Sequence, residues 1–183
     1  RQALQIDPMF ANAHNTLGNI LVDSGGLEEA LQEFRKAIEI NPDAAIFHYN
    51  LARALAKKGD AQGAISQYRQ ALRIDPQDFE IRNNLGLLLL RQGHQDEATE
   101  QFREAIQLNP RYAKAYFNLG KIYLEQARLD EAAENFERAL RLEPEVAEIH
   151  ENLGRVLVLQ GRKEQATAHF AEALRILRSQ RPS

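Results

Sequence analysis

The chain has 183 residues, 44% hydrophobic and 27% charged, with a formal net charge of −3 and a sequence pI near 6.0. This balance argues against nucleic acid as a partner, because neutralising phosphates takes an excess of Lys and Arg. No run approaches the ~18 apolar residues of a membrane-inserted helix, and the absence of cysteine removes disulfides, thiolate metal sites and a Cys nucleophile.

The opening residues, RQALQIDP, read as the tail of a helix already under way, so the chain reads as a piece of a larger protein. No targeting signal fixes a compartment, and the cytoplasm is the default. Five prolines, Pro8, Pro42, Pro76, Pro110 and Pro144, then recur every 34 residues without an insertion. A period in the range of roughly 20–50 residues marks a solenoid, whose units bury their apolar faces only by stacking. Counted from the third residue after each proline, the units are 11–44, 45–78, 79–112, 113–146 and 147–180, with residues 1–10 ending a preceding unit and 181–183 a tail. The expected organisation is one all-α, right-handed solenoid of antiparallel helix pairs over residues 1–183.

Within each unit two amphipathic helices are separated by a short break. Gly25, Gly59, Gly93 and Gly161 occupy unit position 15, where a helix end calls for a left-handed residue. The fourth unit has Ala127 there, which predicts a strained turn. The second helix should stop at each Asn-Pro, Asp-Pro or Glu-Pro pair, because proline lacks a donor and pushes its predecessor out of the helical region. Arg178 stands where a sixth proline would fall, so the last helix should run on.

The first helix carries apolar residues at positions 7 and 11 (Leu17/Leu21, Leu51/Leu55, Leu85/Leu89, Leu119/Tyr123, Leu153/Leu157) and a small residue at 8: Gly18, Ala52, Gly86, Gly120 and Gly154. A mid-helix glycine costs about 1 kcal/mol against alanine, so its recurrence predicts close approach of another helix. The second helix sets an aromatic at position 24 between alanines at 20 and 27, the aromatics being Phe34, Tyr68, Phe102, Phe136 and Phe170. These read as knobs, with alanines lining the holes.

This combination closely resembles the tetratricopeptide repeat family, over the whole chain. One departure is position 4, where His14, His48, Arg82, Tyr116 and His150 replace the family tryptophan, with an expected effect on packing at the groove rim. The resemblance implies a concave groove lined by positions 2, 5, 6, 9 and 13 of the first helices. It also implies a non-catalytic scaffold that binds an extended peptide or a helix there and needs no cofactor. Position 6 supplies Asn50, Asn84, Asn118 and Asn152, which resemble the asparagine ladder in the repeat domain of the glycosyltransferase that attaches N-acetylglucosamine to protein Ser and Thr. The remaining candidates are Asn15, Tyr49, Asn83 and Phe117 at position 5, Asn19, Arg53, Lys121 and Arg155 at 9, Lys57 and Arg91 at 13, and Lys114 at 2. Arg53, Lys57 and Arg91 cluster in sequence and suit an acidic or phosphorylated segment, with Tyr49 and Phe117 supplying apolar contact. The family's carboxylate clamp is excluded, since no position 5 is Lys and no position 6 is Arg.

Other readings have less support. His14, His48 and His150 share one position in separate units, and packed helices about 8–10 Å apart cannot bring them onto one metal. His94, in a turn, and His169, on a second helix, show no catalytic partner in the pattern, so no enzyme activity is expected. Reading of RNA by helical repeats is disfavoured by the acidic pI. A substrate-recruiting domain of an attached enzyme remains an alternative. So does self-assembly through uncapped ends, where Leu174, Ile176 and Leu177 continue the apolar pattern with nothing later to cover them.

Overall fold

A computed structural model describes residues 8–180. Among them are ten α-helices and no strand: α1 (Pro8–Ser24), α2 (Leu27–Ile40), α3 (Ala45–Lys58), α4 (Ala61–Ile74), α5 (Phe79–Arg91), α6 (Gln95–Leu108), α7 (Ala113–Glu125), α8 (Leu129–Leu142), α9 (Ala147–Leu159) and α10 (Lys163–Ser179). Helix contacts gather α1–α5 into one compact unit, ending at His94, and α6–α10 into a second, beginning at Gln95.

Local chemistry sets the helix ends. Gly25, Gly59, Gly93 and Gly161 take φ of 89°, 93°, 81° and 77°, as the turn requires, and Ala127 is forced to 56°. At the other end of α2, α4 and α6 the residue before proline closes a small side-chain turn over it: Asn41, Asp75 and Asn109 accept from the amides of Asp43, Gln77 and Arg111 at 3.2, 3.1 and 3.0 Å. With no proline at Arg178, α10 runs for 17 residues where α8 has 14. Pro8 behaves differently from its counterparts. The period places the first helix start at Ala11, whereas α1 starts at Pro8 itself, the end of a helix where the missing amide costs nothing. The expected helix tail in RQALQIDP lies outside the described residues.

Packing inside the hairpins follows the predicted knobs and holes. An ideal Cβ on Gly18 would sit 2.5 Å from the Phe34 ring, and on Gly120 or Gly154 2.7 Å from Phe136 or Phe170. Glycine is therefore the space into which the ring fits. In the first unit α1 packs on α2 and α3 on α4, with α3 also against α1 and α2, and α5 against α4; in the second, α7 pairs with α8 and α9 with α10. Ala11, Ala37 and Phe47 form a buried seam between successive pairs.

Two apolar expectations are reversed. Leu17 is 44% exposed although Leu51, Leu119 and Leu153 at the same position are buried, because no helix pair precedes α1 among the described residues. Ile176, expected to lie uncovered, is 1% exposed inside the α9–α10 hairpin; only Leu174 and Leu177 face outward.

Four of the five position-4 side chains also form a polar contact. They reach back to the carbonyl of the proline six residues earlier: His48 Nε2 to Pro42 at 2.9 Å, Arg82 to Pro76 at 2.8 Å, Tyr116 to Pro110 at 3.3 Å and His150 Nε2 to Pro144 at 3.0 Å. Each is a donor for a carbonyl that the helix pattern leaves without one.

Replacing Ala127 by Gly releases roughly 1–2 kcal/mol of left-handed strain and adds about 0.5–1 kcal/mol of unfolded-state entropy. The variant should therefore be more stable by about 0.5–1 kcal/mol in urea denaturation, while the same exchange at Ala133, inside α8, should destabilise.

Candidate functional site: a groove along α1, α3 and α5

In the first unit a groove of about 770 Å³ is lined by eight of the candidates, Asn15, Asn19, Tyr49, Asn50, Arg53, Lys57, Asn84 and Arg91. Val22, Asp23, Ile46, Ala54, Ala56 and two position-24 aromatics, Phe34 and Tyr68, complete it. Helical spacing places positions 5, 6, 9 and 13 on one stripe, so residues from α1, α3 and α5 converge.

The polar lining is internally ordered. Asn50 Nδ2 donates to Asn15 Oδ1 at 2.8 Å and Asn84 Nδ2 to the Tyr49 hydroxyl at 3.1 Å. Tyr49 packs on Tyr68 with ring centroids 6.1 Å apart, and the Arg53 guanidinium lies 5.5 Å from the Tyr49 centroid. Burial raises the pKa of Tyr49 and pushes that of Tyr68 up to about 12, so both remain neutral donors at physiological pH. Lys57 Nζ donates to the Val22 carbonyl at 3.2 Å. Arg53, Lys57 and Arg91 have no carboxylate partner among the described residues. Lys58, one residue from Lys57 but outside the groove lining, is paired with Glu28 at 2.8 Å.

The asparagine ladder needs correction. Asn50, Asn118 and Asn152 are buried, and Asn152 Nδ2 bonds back to its own helix at the Glu148 carbonyl, 2.8 Å away. A buried amide must be satisfied within the protein, so Asn118 and Asn152 offer no open amide, while Asn50 and Asn84 line the groove with one N–H each already engaged. Asn83, expected to face the groove, is 3% exposed and does not line it. In the second unit Lys114 and Arg155 are exposed. Phe117 there packs on Phe136 at 5.8 Å, with Lys121 5.4 Å from its centroid and 3.9 Å from Glu148.

Sequence reasoning missed two features. Tyr68 had been assigned to packing alone, although its hydroxyl is unique among the five position-24 aromatics. His169 does have a partner: its Nδ1 lies 2.9 Å from Nδ1 of His150. A 19-residue spacing also joins His14 to Glu33 and His48 to Gln67, and could have revealed it. Since His150 Nε2–H is given to the Pro144 carbonyl, its Nδ1 accepts and His169 donates.

A tetratricopeptide repeat model matches residues 15–79 and 117–181. The chain belongs to the tetratricopeptide repeat family. A model of the middle TPR-like domain of cilia and flagella-associated protein 70 also matches, over residues 48–145. Solved tetratricopeptide repeat structures share the fold. MamA (41-end) from Desulfovibrio magneticus RS-1 is 26% identical, covering 96% of this chain and 98% of that one, with a TM-score of 0.83. PilF from Pseudomonas aeruginosa is 28% identical over 91% and 76%, TM-score 0.84. YrrB, described as a TPR protein with an unusual peptide-binding site, is 24% identical over 89% and 84%, TM-score 0.72. No curated protein sequence matches. The fold class is an all-α helical repeat solenoid, and the corresponding function class is a protein-interaction scaffold with protein or peptide partners.

The histidine pair makes stability pH-dependent. Burial, then the neighbouring His150 and Arg162, hold His169 below its ordinary 6.5, against the opposing pull of Glu137. The unfolded chain therefore binds more protons just below pH 6.5, so stability is complete above that value and falls as pH drops through it. Glu33, Glu131 and Glu172 are lowered from 4.5 and lose their contribution only at more acidic pH. His169→Gln, which copies the His48–Gln67 pair, should lose less stability than wild type in urea titrations compared at about pH 7.5 and about pH 5.5.

Proposed function

We propose that the protein is an interaction scaffold that binds an extended peptide in the groove along α1, α3 and α5. The observation that carries this reading is the groove's lining: ordered amides at Asn15, Asn50 and Asn84 alternate with three cations that have no carboxylate partner among the described residues. An extended strand offers backbone donors and acceptors at a regular rise, and side-chain amides supply both kinds of partner. The likeness to YrrB, described as having a peptide-binding site, adds support at the level of the fold. A peptide selected from a displayed random library should bind Asn15→Ala/Asn84→Ala about ten-fold more weakly than wild type, as expected for two lost hydrogen bonds. Gln70→Ala/Arg73→Ala, on α4 outside the groove, should leave it unchanged. Selected peptides that respond only to the α4 change would exclude the groove.

A second reading, self-association, is favoured by exposed apolar residues on α1 (Phe10, Leu17, Ile20) and on α10 (Leu174, Leu177). A second copy stacking on either helix would cover them. Light scattering should then show mass rising with concentration, and Leu17→Glu/Leu177→Glu should abolish the rise. A concentration-independent monomer mass for the wild type would eliminate this reading.

A further inference from the structure

Tyr68 is 4% exposed, lines the groove, and its hydroxyl has no hydrogen-bond partner among the described residues. The ring is buried, but the hydroxyl is not among the fully enclosed side-chain atoms, so it meets the solvent of the groove and is free to bond a ligand there. The position requires an aromatic ring but not a hydroxyl, since Phe34, Phe102, Phe136 and Phe170 serve there in the other repeats. The same repeat is also the one with Ala52 in place of glycine. At Gly18, Gly120 and Gly154 a Cβ would come within 2.5–2.7 Å of the ring, so beside Ala52 the Tyr68 ring cannot take the seat its counterparts take.

The charges around this hydroxyl have one sign. Arg53 and Arg91 lie within its electrostatic reach, together with the neutral Tyr49, and no carboxylate does. Lys57 lines the same groove; its one acidic member, Asp23, is at the far end of α1 from the helix start and is exposed. Several cations outside the groove are matched with carboxylates, as in Lys36–Glu33, Arg128–Glu131 and Arg175–Glu145, while Arg73 and Arg162 bond to glutamines.

We infer that Tyr68, Arg53 and Arg91 form a subsite for one oxyanionic side chain of the bound peptide, a carboxylate or a phosphate monoester, with the Tyr68 hydroxyl donating to it between the two guanidiniums. The inference rests on the peptide-groove reading and gives it a specificity. It makes Tyr68 a recognition residue as well as a packing one. Charge-assisted hydrogen bonds are about twice as strong as neutral ones, which is why one hydroxyl in this place decides selectivity.

The test is an NMR titration with capped alanine-glycine peptides that carry a single Glu, phosphoserine or Gln at the centre. The Glu and phosphoserine peptides should bind more tightly than the Gln peptide and shift the Tyr68, Arg53 and Arg91 resonances; whichever is tighter identifies the anion. Tyr68→Phe, the residue used at the equivalent positions, should fold normally and reduce that preference about ten-fold. Tyr116→Phe, in the second unit, should not. If all three peptides bind the groove equally, or Tyr68→Phe leaves the preference intact, the subsite is wrong while the peptide groove stands. If none of the peptides moves a groove resonance, both readings fail.

Discussion

The closeness of the two helices in each hairpin is the constraint from which the rest follows. A Phe ring from the second helix occupies space that any Cβ on the first would fill, at Gly18, Gly120 and Gly154. Burying such a ring contributes about 1.5–3 kcal/mol, which exceeds the roughly 1 kcal/mol lost by having glycine in a helix. Helices of 13–14 residues are marginal alone in water, so this contact stabilises the secondary structure as well as the packing. Where the small residue is Ala52, the ring is Tyr68 and the seat is altered; that single variation brings a hydroxyl to the groove.

Polar closure uses the same period. Pro42, Pro76, Pro110 and Pro144 each follow a helix end and carry a carbonyl to which a side chain six residues later supplies the donor. His, Arg and Tyr all perform this role because each carries an N–H or O–H at a suitable reach. In two repeats the histidine then bonds onward to the second helix, through Gln67 or His169, tying loop, first helix and second helix together. Choosing His169 rather than an amide at that place introduces a titrating group where Gln67 has none.

Much of this architecture was legible because it depends on local chemistry. Positive φ at Gly25, Gly59, Gly93 and Gly161, the strain at Ala127 and the prolonged α10 all follow from backbone sterics that neighbours modify little. The candidate groove was legible in part. Eight of the candidates converge because position in a helical period sets direction. Asn83, Asn118 and Asn152 fail as open contacts because direction does not determine exposure: an amide aimed toward a groove is still buried if adjacent helices close over it. Leu17 and Ile176 differ from expectation in opposite directions for the same reason, since what covers a residue is the neighbouring helix and not its own pattern.

The sequence by itself determined the period, the helix ends, the hairpin contacts and the family, because all of these are set by residues close in the chain or repeated at a fixed interval. Only the tertiary structure decided which polar groups bond to one another and which find no partner within the protein. Asn50 is engaged by Asn15 and Asn84 by Tyr49, each across a spacing of 35 residues, while the Tyr68 hydroxyl and the cations near it find no such partner. Hydrogen-bond satisfaction is a property of what the fold brings together, so the residues with unmet bonding capacity, where a ligand gains most, emerge only when the repeats are stacked.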